Sequence, residues 1–289
     1  MGDILHCNVR GLKTPDIRRN KVDIIKKILD EKTSIFINLQ ETHLYDELEI
    51  PIEWTHLKSL YGIVFCGANA NDPGSGIIVF IRKTEKIIEN TILVEGRLVH
   101  IKTENLVSGE IFNFFSFYGK SNVSQTYAMD IITKMQTKIN SNALGNLIIS
   151  GDFNFVSSVS DRNTNRYTQT DTTYKDIWTN FEIQNNILDT FRTMYPKRRL
   201  YTFSQSGGNS KSRIDRIYFF SDLIGRVQNV KFENYECFDH KLVKLRLKSK
   251  IDIGPGTWIF NTTLLKNLDF TTKISTIIYD YANNNIFSK

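Results

Sequence analysis

Short apolar runs recur from one end of this chain to the other, each bordered by a polar residue able to hold a cation or move a proton. Asn8 follows Ile4-Leu5-His6-Cys7, and Glu41 lies in Gln40-Glu41-Thr42-His43 after the run 35–39. Asp152 and Asn154 lie in Gly151-Asp152-Phe153-Asn154 after 147–150. Asp215 lies in Ser212-Arg213-Ile214-Asp215-Arg216, and Asp239-His240 precedes the run 242–245. Runs this short, rich in β-branched and aromatic residues, favour strands over helices. Polar groups at strand ends share one edge of a sheet. Carboxylates, carboxamides and an imidazole there suit oxygen coordination of a hard cation and proton transfer to water. One cluster is ordinary; five together point to metal-assisted hydrolysis of a phosphate ester.

Between these runs the periodicity changes. Ile17, Ile24, Ile25, Ile28 and Leu29 repeat at helical spacing, which predicts a helix over 16–31. Tyr127, Ile131, Ile132 and Met135 predict another over 125–138, and Ile177, Trp178 and Phe181 a third over 172–184. Further strands are expected at 76–81, 98–101, 111–118, 200–203, 214–220, 226–232 and 242–247. Strands both adjacent in sequence and separated by helices predict mixed sheets, two of them packed together and flanked by helices. No repeat of twenty to fifty residues is present, which excludes solenoids and propellers.

Composition narrows the function classes. Hydrophobic content of 40% supports a packed core. A net charge of +6 and a pI near 9.0 suit a polyanionic partner. Cys7, Cys66 and Cys237 are widely spaced, which excludes a cysteine-rich zinc module and fits an intracellular, reducing setting. No apolar stretch approaches a membrane span, and the first thirty residues lack a signal-peptide core. Gly254-Pro255-Gly256 punctuates the chain after 250. Residues 1–250 are therefore expected to form the catalytic domain, and 251–289 a linker with a helical stub over 264–281, part of something longer.

Each chemical candidate also has an ordinary explanation. Glu41 at a strand end is either solvated or a direct Mg²⁺ or Mn²⁺ ligand. Asn8 either closes an Asx-turn or sets its amide oxygen beside the same ion. Asp152 and Asn154 are turn formers, or else face one way along an extended segment, one taking a proton from water and one holding a phosphate oxygen. His240 is a structural histidine or an acid and phosphoryl polariser, with Asp215 as orienting partner; Asp215 equally suits an ion pair with Arg213 or Arg216. Lys197-Arg198-Arg199, Lys211, Arg213 and Arg216 bracket a Gly-rich hairpin that starts at Ser204. A solvated face and a DNA-tracking ribbon both account for them. Thr202 and Arg162 add candidate phosphate contacts.

Assembled, the pattern resembles the endonuclease/exonuclease/phosphatase superfamily, which includes DNase I and AP endonucleases. It is most similar to the N-terminal endonuclease domain of LINE-type (non-LTR) retrotransposon polyproteins. The resemblance rests on Asn8-Val9-Arg10-Gly11-Leu12, Leu39-Gln40-Glu41-Thr42-His43-Leu44, Phe117-Tyr118 and Gly151-Asp152-Phe153-Asn154. Ser160-Asp161-Arg162, Asp189-Thr190-Phe191-Arg192, Tyr201-Thr202-Phe203-Ser204, Ser212-Arg213-Ile214-Asp215 and Asp239-His240 continue it in family order. Gly254-Pro255-Gly256-Thr257-Trp258 resembles the segment leading to a reverse transcriptase.

The resemblance implies a DNase I-like four-layered α/β (α+β) sandwich. It implies Mg²⁺- or Mn²⁺-dependent nicking of double-stranded DNA, leaving a 3′-hydroxyl for target-primed reverse transcription in the nucleus. Glu41 would be the principal metal ligand, with Asn8 and Asp239 nearby. Asp152 would orient or deprotonate water, and Asn154 and Tyr118 would contact the scissile phosphate. His240, oriented by Asp215, would stabilise the transition state. Arg162, Thr202, Ser204, Lys211 and Arg213 would face DNA. Phe238 stands where the family usually has Ser, a change expected to tune activity. Alternatives are an abasic-site repair endonuclease, a sugar- or lipid-phosphate phosphatase, and a non-catalytic DNA-binding module on the same fold.

Overall fold

The computed structural model describes residues 2–13, 15–31, 33–141, 145–205, 210–248, 265 and 267–286. The chain divides into two compact units, 1–250 and 251–289. In the first, the elements run β1 (Gly2–Asn8), α1 (Pro15–Asp30), β2 (Ser34–Gln40), β3 (Tyr61–Cys66), β4 (Ile77–Arg82), β5 (Glu85–Val94), β6 (Leu98–Asn105) and β7 (Ile111–Phe117). They continue with α2 (Gln125–Ser141), β8 (Asn146–Asp152), α3 (Gln169–Asn185), β9 (Ile187–Asp189), α4 (Thr190–Met194), β10 (Phe203–Ser204), β11 (Lys211–Ser212), β12 (Asp215–Phe220), β13 (Val227–Glu233) and β14 (Leu242–Leu247). The second unit contains α5 (Leu268–Ile286). The expected Gly254-Pro255-Gly256 turn lies outside the described residues.

Two six-stranded mixed sheets form, in the orders β13-β14-β1-β2-β4-β3 and β5-β6-β7-β8-β12-β9. Each holds one parallel pair, β1 with β2 and β7 with β8, joined through α1 and α2 respectively. The strands beside those crossovers are buried on both faces, which is why they read as nearly continuous apolar runs. Alternation then sorts their side chains. Ile4, Phe36, Phe114, Ile148, Ile217 and Val243 pack between the sheets. Leu5, Cys7, Ile37 and Leu39 turn outward onto Val22, Ile25 and Leu29 of α1. Phe115, Phe117 and Ile149 turn outward onto Ile131, Met135 and Trp178 of α2 and α3. The layers are thus helix, sheet, sheet, helix, as expected.

The differences lie at edges. β3 and β5 were not expected as strands; Gly62 and the charged residues Glu85, Lys86 and Glu89 break their apolar signal, and pairing with β4 and β6 supplies what the sequence withholds. The strand expected at 200–203 reduces to the two-residue β10, because Thr202 spends its backbone on Ser212 and Lys241.

Phe36 is fully buried between the sheets, stacked on Phe114 at 4.8 Å and edge-on to Phe112 at 6.4 Å. Phe36→Ala should cost about 3–5 kcal/mol in urea unfolding. A loss below about 1 kcal/mol would show that this stack is not what joins the sheets.

Candidate active site

Between the sheets the apolar face stops before the strands do. Moving along β1, β2, β7 and β8, Ile4, Phe36, Phe114 and Ile148 give way at alternate positions to His6 and Asn8, Asn38 and Gln40, Ser116 and Tyr118, and Ser150 and Asp152. All are buried. Asp152 N–H donates to Gln40 Oε1 (2.9 Å), Gln40 Nε2 to Ser116 Oγ (2.9 Å), and Ser116 Oγ to Asn38 Oδ1 (2.7 Å). Asn38 Nδ2 donates to His6 Nδ1 (3.4 Å), which leaves the His6 proton on Nε2, facing Asp215 Oδ1 at 2.9 Å. Asp215 in turn holds His240 Nδ1 at 2.9 Å, and His240 Nε2 reaches 3.9 Å from Asp152 Oδ2. Asn8 Nδ2 ties Asp152 (2.9 Å) to Glu41 (2.8 Å), and the Tyr118 hydroxyl donates to the same Glu41 oxygen at 2.9 Å.

Glu41, Tyr118, Asp152 and His240 open into a cavity of about 430 Å³, also lined by Arg10, Arg97, Lys120, Asn154, Phe203 and Asp239. Left-handed backbone aims three of these residues there: Arg10, Glu41 and Asn154 have φ of 46°, 58° and 56°, a conformation that asparagine tolerates and that Arg and Glu hold at a cost. Asp152 and Asn154 are therefore not brought together by strand alternation, as expected, but by a left-handed turn that sets Asn154 Nδ2 3.4 Å from Asp152 Oδ2. Gly151 is required at the close approach of β8 to β7, where a Cβ would overlap the Phe117 carbonyl oxygen.

Charge follows from this packing. Burial, then the charge of Asp215, pushes Asp152 above the ordinary carboxylate range against the pull of His240. Burial would raise Asp215 too, but His240 and His6 outweigh it and hold it ionised. Burial disfavours the His240 cation, yet the carboxylates of Asp215 and Asp152 overcome it and lift the imidazole to about 10. At neutral pH His240 is a cation with Nε2–H turned to the cavity. Burial likewise raises Glu41, but bonds from His43, Asn8 and Tyr118 leave it lowered.

The donor set fits a hard divalent cation. Asp239 Oδ1 is buried without a hydrogen-bond partner among the described residues, while its Oδ2 accepts from Arg10 (2.7 Å). Asp152, Asp215 and His240 also bring polar atoms within 4.8 Å of one another, but Asp215 is engaged by His6 and His240 and the His240 ring is protonated, so the carboxylates left to a cation are those of Glu41 and Asp239. Convergent carboxylate oxygens with an unsatisfied acceptor are what such an ion neutralises. Of the two readings of Asn8, the Asx-turn is the one observed: its oxygen accepts from Arg10 N–H (3.0 Å), and its amino group faces the carboxylates of Glu41 and Asp152.

Three residues expected on a DNA face do other work. Arg213 is 1% exposed and spans Asp161 (2.8 Å) and Asp189 (2.7 Å), since a buried guanidinium needs carboxylate partners. Arg162 is committed to both oxygens of Asp171. Thr202 is 1% exposed, and its Oγ1 accepts from the backbone N–H groups of Ile214 and Asp215 (3.1 Å each), so it sets the aspartate. Ser204 and Lys211 are exposed on the β10–β11 ribbon, whose Phe203 ring packs 4.8 Å from His240; residues 206–209 lie outside the described residues. The sequence reading missed His6, Asn38, Gln40 and Ser116. It also missed Arg97, which stacks 4.0 Å over Tyr118 while paired with Asp72 (2.8 Å). The signal for the first four was present: polar residues two apart inside apolar runs.

Two mixed sheets flanked by helices, with an acid–histidine cluster at one end of their shared face, define a four-layered α/β sandwich. The chain belongs to the Endonuclease/Exonuclease/phosphatase family, which it matches over residues 5–232. It is 26% identical over 246 residues to the Transposon TX1 uncharacterized 149 kDa protein of Xenopus laevis, covering 82% of this chain but 18% of that protein. Its fold is similar to an AP endonuclease from Archaeoglobus fulgidus, with TM-score 0.66 and 18% identity over 86% of this chain and 100% of that one. AP endonuclease LMAP from Leishmania major gives TM-score 0.69 and 17% identity, over 86% and 88%. No helix among the described residues is long and apolar enough to cross a membrane.

Two measurements follow. Because the folded-state value of His240 lies above the unfolded 6.5, its stabilisation is complete below about pH 6.5 and is lost as pH climbs through about 10. Thermal melts of the metal-free chain should therefore fall over that window, and fall less for His240→Gln; parallel curves would refute the buried ion pair. Arg213→Ala should cost about 3–5 kcal/mol of stability, whereas Lys211→Ala should stay within about 0.5 kcal/mol.

Proposed function

We propose that the chain is a divalent-metal-dependent endonuclease that hydrolyses a phosphodiester of double-stranded DNA and leaves a 3′-hydroxyl. The observation that carries this reading is His240 facing Asp152 at 3.9 Å across the cavity, with Asp215 behind it. Asp152, kept basic by burial, accepts a proton from the attacking water. The His240 cation donates through Nε2 to a phosphoryl oxygen as negative charge grows there, and Asp215 fixes its ring. Asn154 and Tyr118 position the scissile phosphate. Water supplies the oxygen of the new 5′-phosphate, and the broken P–O3′ bond leaves an O3′ alkoxide that takes a proton from solvent to become the 3′-hydroxyl. Glu41 and Asp239, with Asn8 bridging Glu41 to Asp152, would hold Mg²⁺ or Mn²⁺, which supplies Lewis-acid stabilisation of phosphate charge.

The transposon relative supports a finer proposal. The nick primes reverse transcription of a mobile element in the nucleus, and the chain works joined to a reverse transcriptase through the segment after residue 250. The exposed Ser204 and Lys211 ribbon beside His240 supports contact with duplex backbone.

Supercoiled plasmid with Mg²⁺ or Mn²⁺ should become open circle, with ends that a polymerase extends; chelation should stop it. Asp152→Asn and His240→Gln should each lower the rate at least about 10²-fold while remaining folded. A wild-type chain that leaves plasmid intact with every metal would sink the reading. A strong preference for abasic duplex over intact duplex would replace it with the repair alternative.

A further inference from the structure

A buried ammonium stands behind the catalytic edge. Lys21, on the second turn of α1, is 4% exposed, and its Nζ donates to three consecutive carbonyls, those of Val9 (2.7 Å), Arg10 (2.8 Å) and Gly11 (3.1 Å). An ammonium has three donors, and all are used. The amides of the same turn are fixed from the other side, Val9 by Gln40 O, Arg10 by Asn8 Oδ1 and Gly11 by Glu41 O. This backbone resists its shape, since Arg10 and Gly11 have φ of 46° and 80° in succession. Converging carbonyl oxygens repel one another, and the ammonium offsets that repulsion.

Phe238 closes the arrangement. Its buried ring lies 6.0 Å from Nζ, with Tyr235 edge-on at 6.2 Å, keeping water from the ammonium and presenting its negative face. The next residue, Asp239, accepts from Arg10 at 2.7 Å, and His240 follows. One cation thereby joins the turn carrying Asn8 and Arg10 to the segment carrying Asp239 and His240.

We propose that Lys21, capped by Phe238, is a positioning residue that holds Asn8 and Asp239 in register with Glu41 for binding a divalent cation and for hydrolysis. Its consequence for turnover rests on the endonuclease reading; its consequence for cation binding rests on the geometry alone. The test uses the full chain, with bound Mn²⁺ read by electron paramagnetic resonance and plasmid nicking followed in parallel. Lys21→Met should weaken Mn²⁺ binding about tenfold and lower kcat about tenfold, with KM for DNA little changed. Lys21→Arg, which keeps the charge but not the compact three-donor head, should recover only part of both. Phe238→Ser should act in the same direction by about threefold, and Phe238→Leu, which keeps the apolar cover but lacks the ring face, should recover only part of that loss. Should Lys21→Met fail to fold by circular dichroism, Phe238→Ser decides through the same readouts. A folded Lys21→Met or Phe238→Ser variant with wild-type Mn²⁺ affinity overturns the proposal, as does a wild-type chain that binds no Mn²⁺. A wild type that binds Mn²⁺ without nicking removes the endonuclease reading, while the Mn²⁺ comparison still decides the role of Lys21.

Discussion

The two sheets can meet in only one way, because the surface between them changes from apolar to polar partway along its length. Phe36, Phe114 and Ile148 need one another, and so do Gln40, Ser116, Asn38, His6 and Asp215. Sliding one sheet by a residue would present each of those amides and imidazoles to hydrocarbon. An unsatisfied buried polar group costs about 1–3 kcal/mol, so several together would exceed what a small domain has in reserve. The hydrogen-bonded seam therefore fixes the register of the sandwich. It also delivers Asp152, Asp215 and His240 to one place from strands or loops of both sheets.

Much of this is legible in the sequence, and the reason is local. β1, β2, β7 and β8 are buried on both faces, so their runs of Ile, Leu and Phe are unmistakable, and the polar residue that ends each run stands out. Helices α1 to α3 show their periods clearly. Edge strands are harder: β5 alternates exposed Lys86, Ile88, Asn90 and Ile92 with half-buried neighbours, and only pairing with β6 makes it a strand. Asn154 was assigned to the right site by the wrong geometry, since nothing in Gly-Asp-Phe-Asn announces a left-handed φ. Seam residues were overlooked because polar side chains inside a strand read as breaks unless their spacing of two is noticed.

The arginines show where charge counting ends. Between 197 and 216 the chain is rich in positive residues, which suggests a DNA-facing surface. In the fold Arg213 is spent on Asp161 and Asp189, and Arg216 is enclosed by Phe153 (4.3 Å) and Phe155 (4.5 Å). A guanidinium whose fork is filled by carboxylates holds loops in place and offers little to a phosphate. Lys211, a few residues away, stays in water. Partners distant in sequence make that distinction, and they become visible only once the chain is folded.

The left-handed turns at Arg10, Glu41, His43 and Asn154 set the molecule's tolerance for change. Glycine would relax each of them, and at Glu41 it would remove a carboxylate from the cavity mouth. Local conformational ease and retention of the side chain therefore pull in opposite directions at these positions. A glycine at Glu41 would ease the torsion and loosen the chain at once, so the strained residue is the one that keeps a carboxylate fixed at the cavity mouth.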